Sequence, residues 1–245
     1  MKKLFILFAL ISLTIAVAAQ ESVEPQAEAE SSAKKELPSE LNTIYSSENG
    51  TFRIHLMSHM GYGFYFVDTQ DYLPKQGGSG EFFMNLLQFE LRPGEKFGID
   101  LSADFLFRHF NSEDQAFYQN AEGLIKASTA VLPVGAQDIR SNFCTFGANF
   151  PLMMHGYFGN FIIGAGAECG LAFLGTSEYK YRNGNRHTVV TEDKPKINTF
   201  TYGIVGELAY SALAVYFKYY PKSMRILPEG SVDQSFFTVG LKMGF

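Results

Sequence analysis

From residue 51 to the end of the chain, apolar and polar side chains alternate with a period of two in eight separate segments. Successive side chains on a β-strand point to opposite faces, so such a pattern calls for strands with one apolar and one polar face. In the first segment Phe52, Ile54, Leu56, Met60, Tyr62, Phe64 and Phe66 oppose Arg53, His55, His59, Gly61 and Gly63. In the second, Phe83, Leu87, Phe89 and Leu91 oppose Gln88, Glu90 and Arg92, with Asn85 out of place on the apolar side. The third sets Phe97, Ile99, Leu101, Ala103, Phe105 and Phe107 against Gly98, Asp100, Ser102, Asp104 and Arg108. The fourth (144–150) and fifth (161–173) carry Cys144 and Cys169 on their apolar faces, with Glu168 on the polar face of the fifth; Phe143 is a second departure. The sixth to eighth (200–208, 213–222, 237–245) carry Glu207, Lys218 and Lys242 on their polar faces.

The connections alternate as strictly as the side chains. Pro93-Gly94-Glu95, a link at 153–158 and Ser211-Ala212 are short; the links at 67–80, 111–137, 177–195 and 223–232 are long and hold the polar, Gly-rich material. Short turns on one rim and long loops on the other match an up-and-down membrane barrel. Turn lengths also set the register. A two-residue turn at 211–212 places Tyr210 opposite Leu213, Leu208 opposite Val215 and Gly206 opposite Phe217. A three-residue loop at 93–95 places Leu91 opposite Phe97 and Phe89 opposite Ile99. A turn centred between Gly156 and Tyr157 places Phe150 opposite Ile163 and Cys144 opposite Cys169.

Periodicity alone does not say which face is inside. The polar face collects Arg53, Arg92, Arg108, Lys218 and Lys242 with Glu90, Asp100, Asp104, Glu168 and Glu207, five of each sign. On a soluble sandwich these would be solvated. Two points favour the inverse: the apolar face is nearly unbroken Phe, Leu, Ile and Val, and the polar face is rich in glycine. That many Phe would overfill a small barrel, whereas the glycines of the polar face leave room for long charged neighbours.

The N-terminus reads as a secretory signal peptide over 1–19: Lys2 and Lys3, an apolar run from Leu4 to Val17, and Val17-Ala18-Ala19 before Gln20. Residues 20–48 hold seven acidic and two basic residues with no aromatic before Tyr45. Such a segment buries too little to offset its ordering entropy and is expected to be a flexible acidic tether. Residues 49–245 form the third unit, the barrel. No other stretch approaches the ~20 apolar residues of a spanning helix.

The chain ends Thr238-Val239-Gly240-Leu241-Lys242-Met243-Gly244-Phe245: polar, any, Gly, any two, apolar, any, aromatic. With Gly240, Met243 and Phe245 this resembles the assembly signal of bacterial outer-membrane proteins. The stretch 51–245 resembles the OmpA-type family of eight-stranded transmembrane barrels. The resemblance implies an all-β, eight-stranded antiparallel up-and-down transmembrane β-barrel, integral to the bacterial outer membrane, with membrane lipid and the barrel assembly machinery as partners. It carries no functional residue set and names no surface ligand.

An interior of eight strands is filled by side chains, and buried charges need partners. The expected site is therefore a paired polar network inside the barrel: Arg53, His55, His59, Glu90, Arg92, Asp100, Asp104, Arg108, Glu168, Glu207, Lys218 and Lys242. The expected role is structural, or surface interaction through the long loops, 111–137 first among them. Two alternatives stand: a lipid A-modifying enzyme and a narrow small-solute channel. For the enzyme, His55, Ser58 and His59 are the nearest candidates, but strict alternation turns Ser58 away from both histidines. His109, His155 and His187 sit near loops with no recognisable partner. No catalytic, cofactor-binding or metal motif is present, two cysteines make no zinc–thiolate site, and a net charge of −5 argues against nucleic acid.

Overall fold

The computed structural model describes residues 42–68, 78–220, 226–232 and 235–244. The expected signal peptide, most of the expected tether and the terminal Phe245 lie outside them. The described residues form thirteen strands and no helix: β1 (Thr43–Ser46), β2 (Phe52–Leu56), β3 (His59–Asp68), β4 (Gly80–Leu91), β5 (Phe97–Glu113), β6 (Ala116–Gln119), β7 (Ile125–Ser128), β8 (Gln137–Phe158), β9 (Phe161–Asn183), β10 (Arg186–Asp193), β11 (Phe200–Tyr210), β12 (Leu213–Tyr220) and β13 (Ser235–Gly244).

All pairings are antiparallel, and those of β3, β4, β5, β8, β9, β11, β12 and β13 follow one another round a ring of eight strands, with β3 and β4 paired over five residues only. Each of the eight alternating segments lies on one of these strands, the first continuing from β2 into β3. The other strands come from segments expected to lack structure. Thr43–Ser46, at the end of the expected tether, is a strand on the edge of β2. The 111–137 link folds β6 and β7 into a hairpin, and the 177–195 link continues β9 into a hairpin with β10.

One register matches the turn-length expectation and two do not. β11 and β12 pair Tyr210 with Leu213 and Leu208 with Val215. Between β4 and β5, however, Leu91 faces Ile99 and Phe89 faces Leu101. The residues flanking Pro93-Gly94-Glu95 bond sideways: the Arg92 N–H donates to Thr51 O, and Lys96 O accepts from the Tyr157 N–H. Between β8 and β9 the turn is Gly159-Asn160, so Phe158 faces Phe161, Phe150 faces Cys169 and Cys144 faces Thr176. Gly159 has a φ of 64°, a left-handed conformation that glycine adopts without penalty. The link expected at 153–158 is instead the last part of β8, with Met153 buried on the inner face. Between these turns and the bulges the offsets are even, so there the faces survive while the partners change; Cys144 faces Thr176 across an odd offset.

Two bulges reverse the phase of the alternation, on β4 and on β9, whereas Phe143 keeps the phase of β8 and is an apolar residue on the inner face. On β4, Asn85 pairs with Asp104 and Leu87 with Ala103, leaving Leu86 extra. The phase therefore switches: Glu81, Phe83 and Asn85 are buried on one side of Leu86, Glu90 on the other. Phe83, expected on the outer apolar face, is inside. On β9 the extra residue is Phe173, and the buried positions change from Glu168 to Ser177.

The two faces of the ring differ in kind. Lys218 is 5% exposed, while its neighbour Phe217 is 51% exposed. Leu101, Leu152, Met154, Ile163, Ile204, Leu208, Leu213 and Leu241 all lie exposed on the outer face. Inside, Phe117 of β6, Ile125 of β7 and the loop residues Ile226, Leu227 and Val232 pack on Tyr65, Phe110, Phe143, Tyr220 and Phe236 of the wall, closing the long-loop end with an apolar stopper.

Candidate functional site

Below the stopper, the buried face carries charge at every level. Nearest the short turns, Glu90 on β4 lies 3.2 Å from His55 Nε2 and 3.9 Å from Arg53 Nη1. The Tyr157 hydroxyl donates to Glu90 Oε1 at 3.2 Å, and the Arg92 guanidinium lies 3.8 Å from the centre of the Tyr157 ring.

The next level crosses the interior. His155 on β8 sits between Asp100 on β5, 2.9 Å from Nδ1, and Glu207 on β11, 2.8 Å from Nε2. Lys242 on β13 completes the row by pairing with Glu207. A neutral imidazole has one N–H and would aim a lone pair at one of these carboxylates, so the geometry calls for the imidazolium. Gly164 makes room: a Cβ there would meet His155 Cδ2 at 2.6 Å. On the same level Asp104 lies 3.6 Å from His59 Nε2 and accepts from Asn85 Nδ2 at 2.9 Å.

The third level lies under the stopper. Lys218 Nζ is 2.9 Å from Glu81 and 3.1 Å from Glu168. Arg108 donates to the Tyr220 hydroxyl at 2.9 Å and lies 3.9 Å from Glu81; the Tyr220 hydroxyl in turn donates to Glu168. Asn149 Nδ2 donates to Glu168 at 2.6 Å and the Tyr65 hydroxyl to Glu81 at 3.2 Å. Lys218 also lies 4.7 Å above the Phe83 ring.

The structure thus brings all twelve expected network residues onto the inner side, and adds two charged groups that sequence reasoning missed. Glu81 was hidden by the bulge at Leu86; the signal was Asn85, which broke the alternation four residues later. His155, expected to lack partners, has two. Glu81 raises the inner carboxylates to six, and the His155 imidazolium raises the inner cations, with the five Lys and Arg, to the same number. A third correction concerns Ser58. Met57 has a φ of 50° and interrupts the strand between β2 and β3. Ser58 Oγ therefore turns to His59 Nδ1, 3.0 Å away, rather than away from it.

His109 stacks on Phe107 of the same strand, and His187 pairs across the β9–β10 hairpin with Arg182. Gly240 lies against the Tyr216 ring, and Met243 is exposed on the outer face. Cys144 and Cys169 are free thiols. Among the described residues no group of three His, Cys, Asp or Glu is arranged to hold a metal ion. The interior keeps a cavity of about 40 Å³, bounded by His59, Asp100, Asp104, His155, Glu207 and Lys218, which is room for a water molecule or two. Compared with known protein families and with characterised proteins, the chain matches none.

Proposed function

We propose that the chain is an integral outer-membrane protein: an eight-stranded transmembrane β-barrel of OmpA type, plugged by its own ion pairs, with a structural or surface-interaction role carried by the long-loop end. One observation carries this reading. Charged side chains are buried and large apolar side chains exposed on the same strands, the reverse of a soluble sandwich. Lipid is the solvent in which that arrangement is favourable. The span fits: the exposed apolar residues of β11 run from Phe200 to Tyr210. Ten steps at about 3.3 Å, tilted by about 40°, rise about 25 Å, the height of an outer-membrane apolar band.

Membrane lipid and the barrel assembly machinery are the implied partners. The paired interior favours a plugged barrel over a small-solute channel, and the β9–β10 hairpin gives the long-loop end a surface to present. The test is expression with the native leader in a Gram-negative host. The expected result is recovery in the outer-membrane fraction, extraction only by detergent, and a mobility shift between unheated and heated samples on gels. Ile204→Arg, near the middle of the apolar band, should lower stability by about 2–4 kcal/mol. Recovery of folded protein in the soluble fraction would overturn the reading.

A further inference from the structure

The wall of the ring is interrupted between β2 and β3, and a serine–histidine pair sits in the interruption. Pairing between β2 and β4 ends at Leu56 opposite Leu87; pairing between β3 and β4 resumes at Met60 opposite Met84. Met57, with its left-handed backbone, and the bulged Leu86 face each other across this gap, each 36% exposed. Left-handed non-glycine residues and bulges concentrate beside functional sites.

Within the gap Ser58 Oγ lies 3.0 Å from His59 Nδ1, and His59 Nε2 lies 3.6 Å from Asp104 Oδ1. His59 and Asp104 are buried, whereas Ser58 is partly exposed. Asp104 is held in turn by Asn85 Nδ2 at 2.9 Å. Nucleophile, base and orienting carboxylate in series is the arrangement that activates a hydroxyl. The amides around it hold the serine in place. Asn85 Nδ2 is committed to Asp104 and to Leu87 O, so its oxygen faces Ser58, where the Ser58 N–H and Oγ both donate to it. Gln88 Oε1 and His59 Nδ1 also face Ser58 Oγ, which has one proton for three acceptors. Turning the Gln88 amide relieves that excess and leaves the Ser58 proton to be shared between Asn85 Oδ1 and His59 Nδ1.

We propose that Ser58 is the nucleophile of a carboxylic-ester hydrolase site set in the wall, with His59 as general base and Asp104 as its positioning residue. Ser58 Oγ bonds to the ester carbonyl carbon and its proton passes to His59 Nδ1. The ester C–O bond breaks, and the leaving alkoxide takes that proton. Water then adds to the acyl-serine, gives a proton to His59, and releases the acid as Ser58 Oγ regains it. The gap is flanked outside by Leu56, Met57, Met60, Met84 and Leu86, so the substrate is an amphiphile whose acyl chain lies along that surface; this last point rests on the membrane reading.

The test uses the full mature chain, folded in detergent, and a fluorophosphonate probe read by peptide mass spectrometry. Modification at Ser58 is expected, absent in Ser58→Ala and unchanged in Ser46→Ala, whose serine lies exposed on β1. Asp104→Asn should slow labelling by at least about tenfold in protein that still shows the folded gel mobility. p-Nitrophenyl decanoate should be cleaved at least about tenfold faster than the acetate, in keeping with the apolar flank. Folded wild-type protein left unmodified at Ser58 would overturn the site. Modification at Ser58 with equal cleavage of both esters would keep the site and overturn the acyl-chain assignment. Soluble, detergent-free protein modified at Ser58 would do the same to the membrane reading.

Discussion

The interior divides into two halves that close the same space by different physics. Toward the short turns it is filled by paired charges: His155 between Asp100 and Glu207, and Lys218 between Glu81 and Glu168. Toward the long loops it is filled by Phe110, Phe117, Phe143 and Ile125, all fully buried. The charged half is built almost wholly from ring strands, so its groups are delivered by strand register. The apolar half borrows Phe117 and Ile125 from a loop hairpin. Removing one charge strands its partner in a dry site, whereas removing one ring opens a cavity that the loop can partly collapse into.

The largest effect is expected in the charged half. Lys218→Met leaves Glu168 and Glu81 without their 2.9–3.1 Å partner and should lower stability by about 3–5 kcal/mol, read as a fall in the urea midpoint of the detergent-folded protein. Adding Glu168→Gln should recover a large part of that loss, because it removes one stranded charge while Glu81 still faces Arg108. A single variant that unfolds like wild type would show that the two halves do not differ in this way.

Next comes the apolar half. Phe143→Ala removes a fully buried ring from the wall and should cost about 3 kcal/mol, near the lower end for such truncations. Phe117→Ala, on the hairpin, should instead speed amide exchange at 116–128 while leaving the amides of β11 and β12 unchanged. Equal protection loss in both places would mean that the stopper and the ring form one cooperative unit.

How much of this division was legible in the sequence depends on where the chain obeys period two. From Phe200 to Tyr219 alternation is unbroken and the turn at Ser211-Ala212 has two residues, so β11–β12 came out in its true register. Near Asn85 and Phe173 one extra residue reverses the phase, and a pattern read in a single phase then assigns Phe83 outward and overlooks Glu81. The stopper was not legible at all. Phe117 and Ile125 lie in a link with no sustained period, and their burial depends on a wall that forms only when distant strands meet. Ser58 was misassigned for a related reason: a left-handed Met57 leaves no mark on the hydrophobic pattern.

The two halves should also differ in what they do to ion flow. The double change Phe117→Ser with Ile125→Ser loosens the stopper but leaves the ion-paired rows in place. Planar-bilayer recordings of wild type and of this variant should both show no steady nanosiemens openings, because the charged half still fills an eight-stranded interior. Such openings in the variant alone would assign closure to the stopper.

The smallest energetic effect belongs to a covalent test of the boundary itself. The extra residue at Phe173 lies where the filling changes from Glu168 and Asn149 to Phe143 and Ser177. Below it Phe150 faces Cys169; above it Cys144 faces Thr176, one residue beyond its partner in an unbroken ladder. Opposed residues have Cβ atoms about 4.5–5.5 Å apart, somewhat beyond the ~3.8 Å of a relaxed disulfide but within reach of small strand adjustments. Phe150→Cys should therefore cross-link to Cys169 on mild oxidation, and Thr176→Cys to Cys144, each assayed with the other native cysteine replaced by Ser. Because these side chains lie on the outer face, neither bond disturbs the interior, and the urea midpoint should move by less than about 1 kcal/mol equivalent. Without the bulge the first bond would form and the second would not, since Cys144 would then face Gly175. In wild type both thiols should alkylate without reduction. A Cys144–Cys169 bond there would place the β8–β9 turn three positions earlier, between Gly156 and Tyr157, and remove the boundary from Phe173.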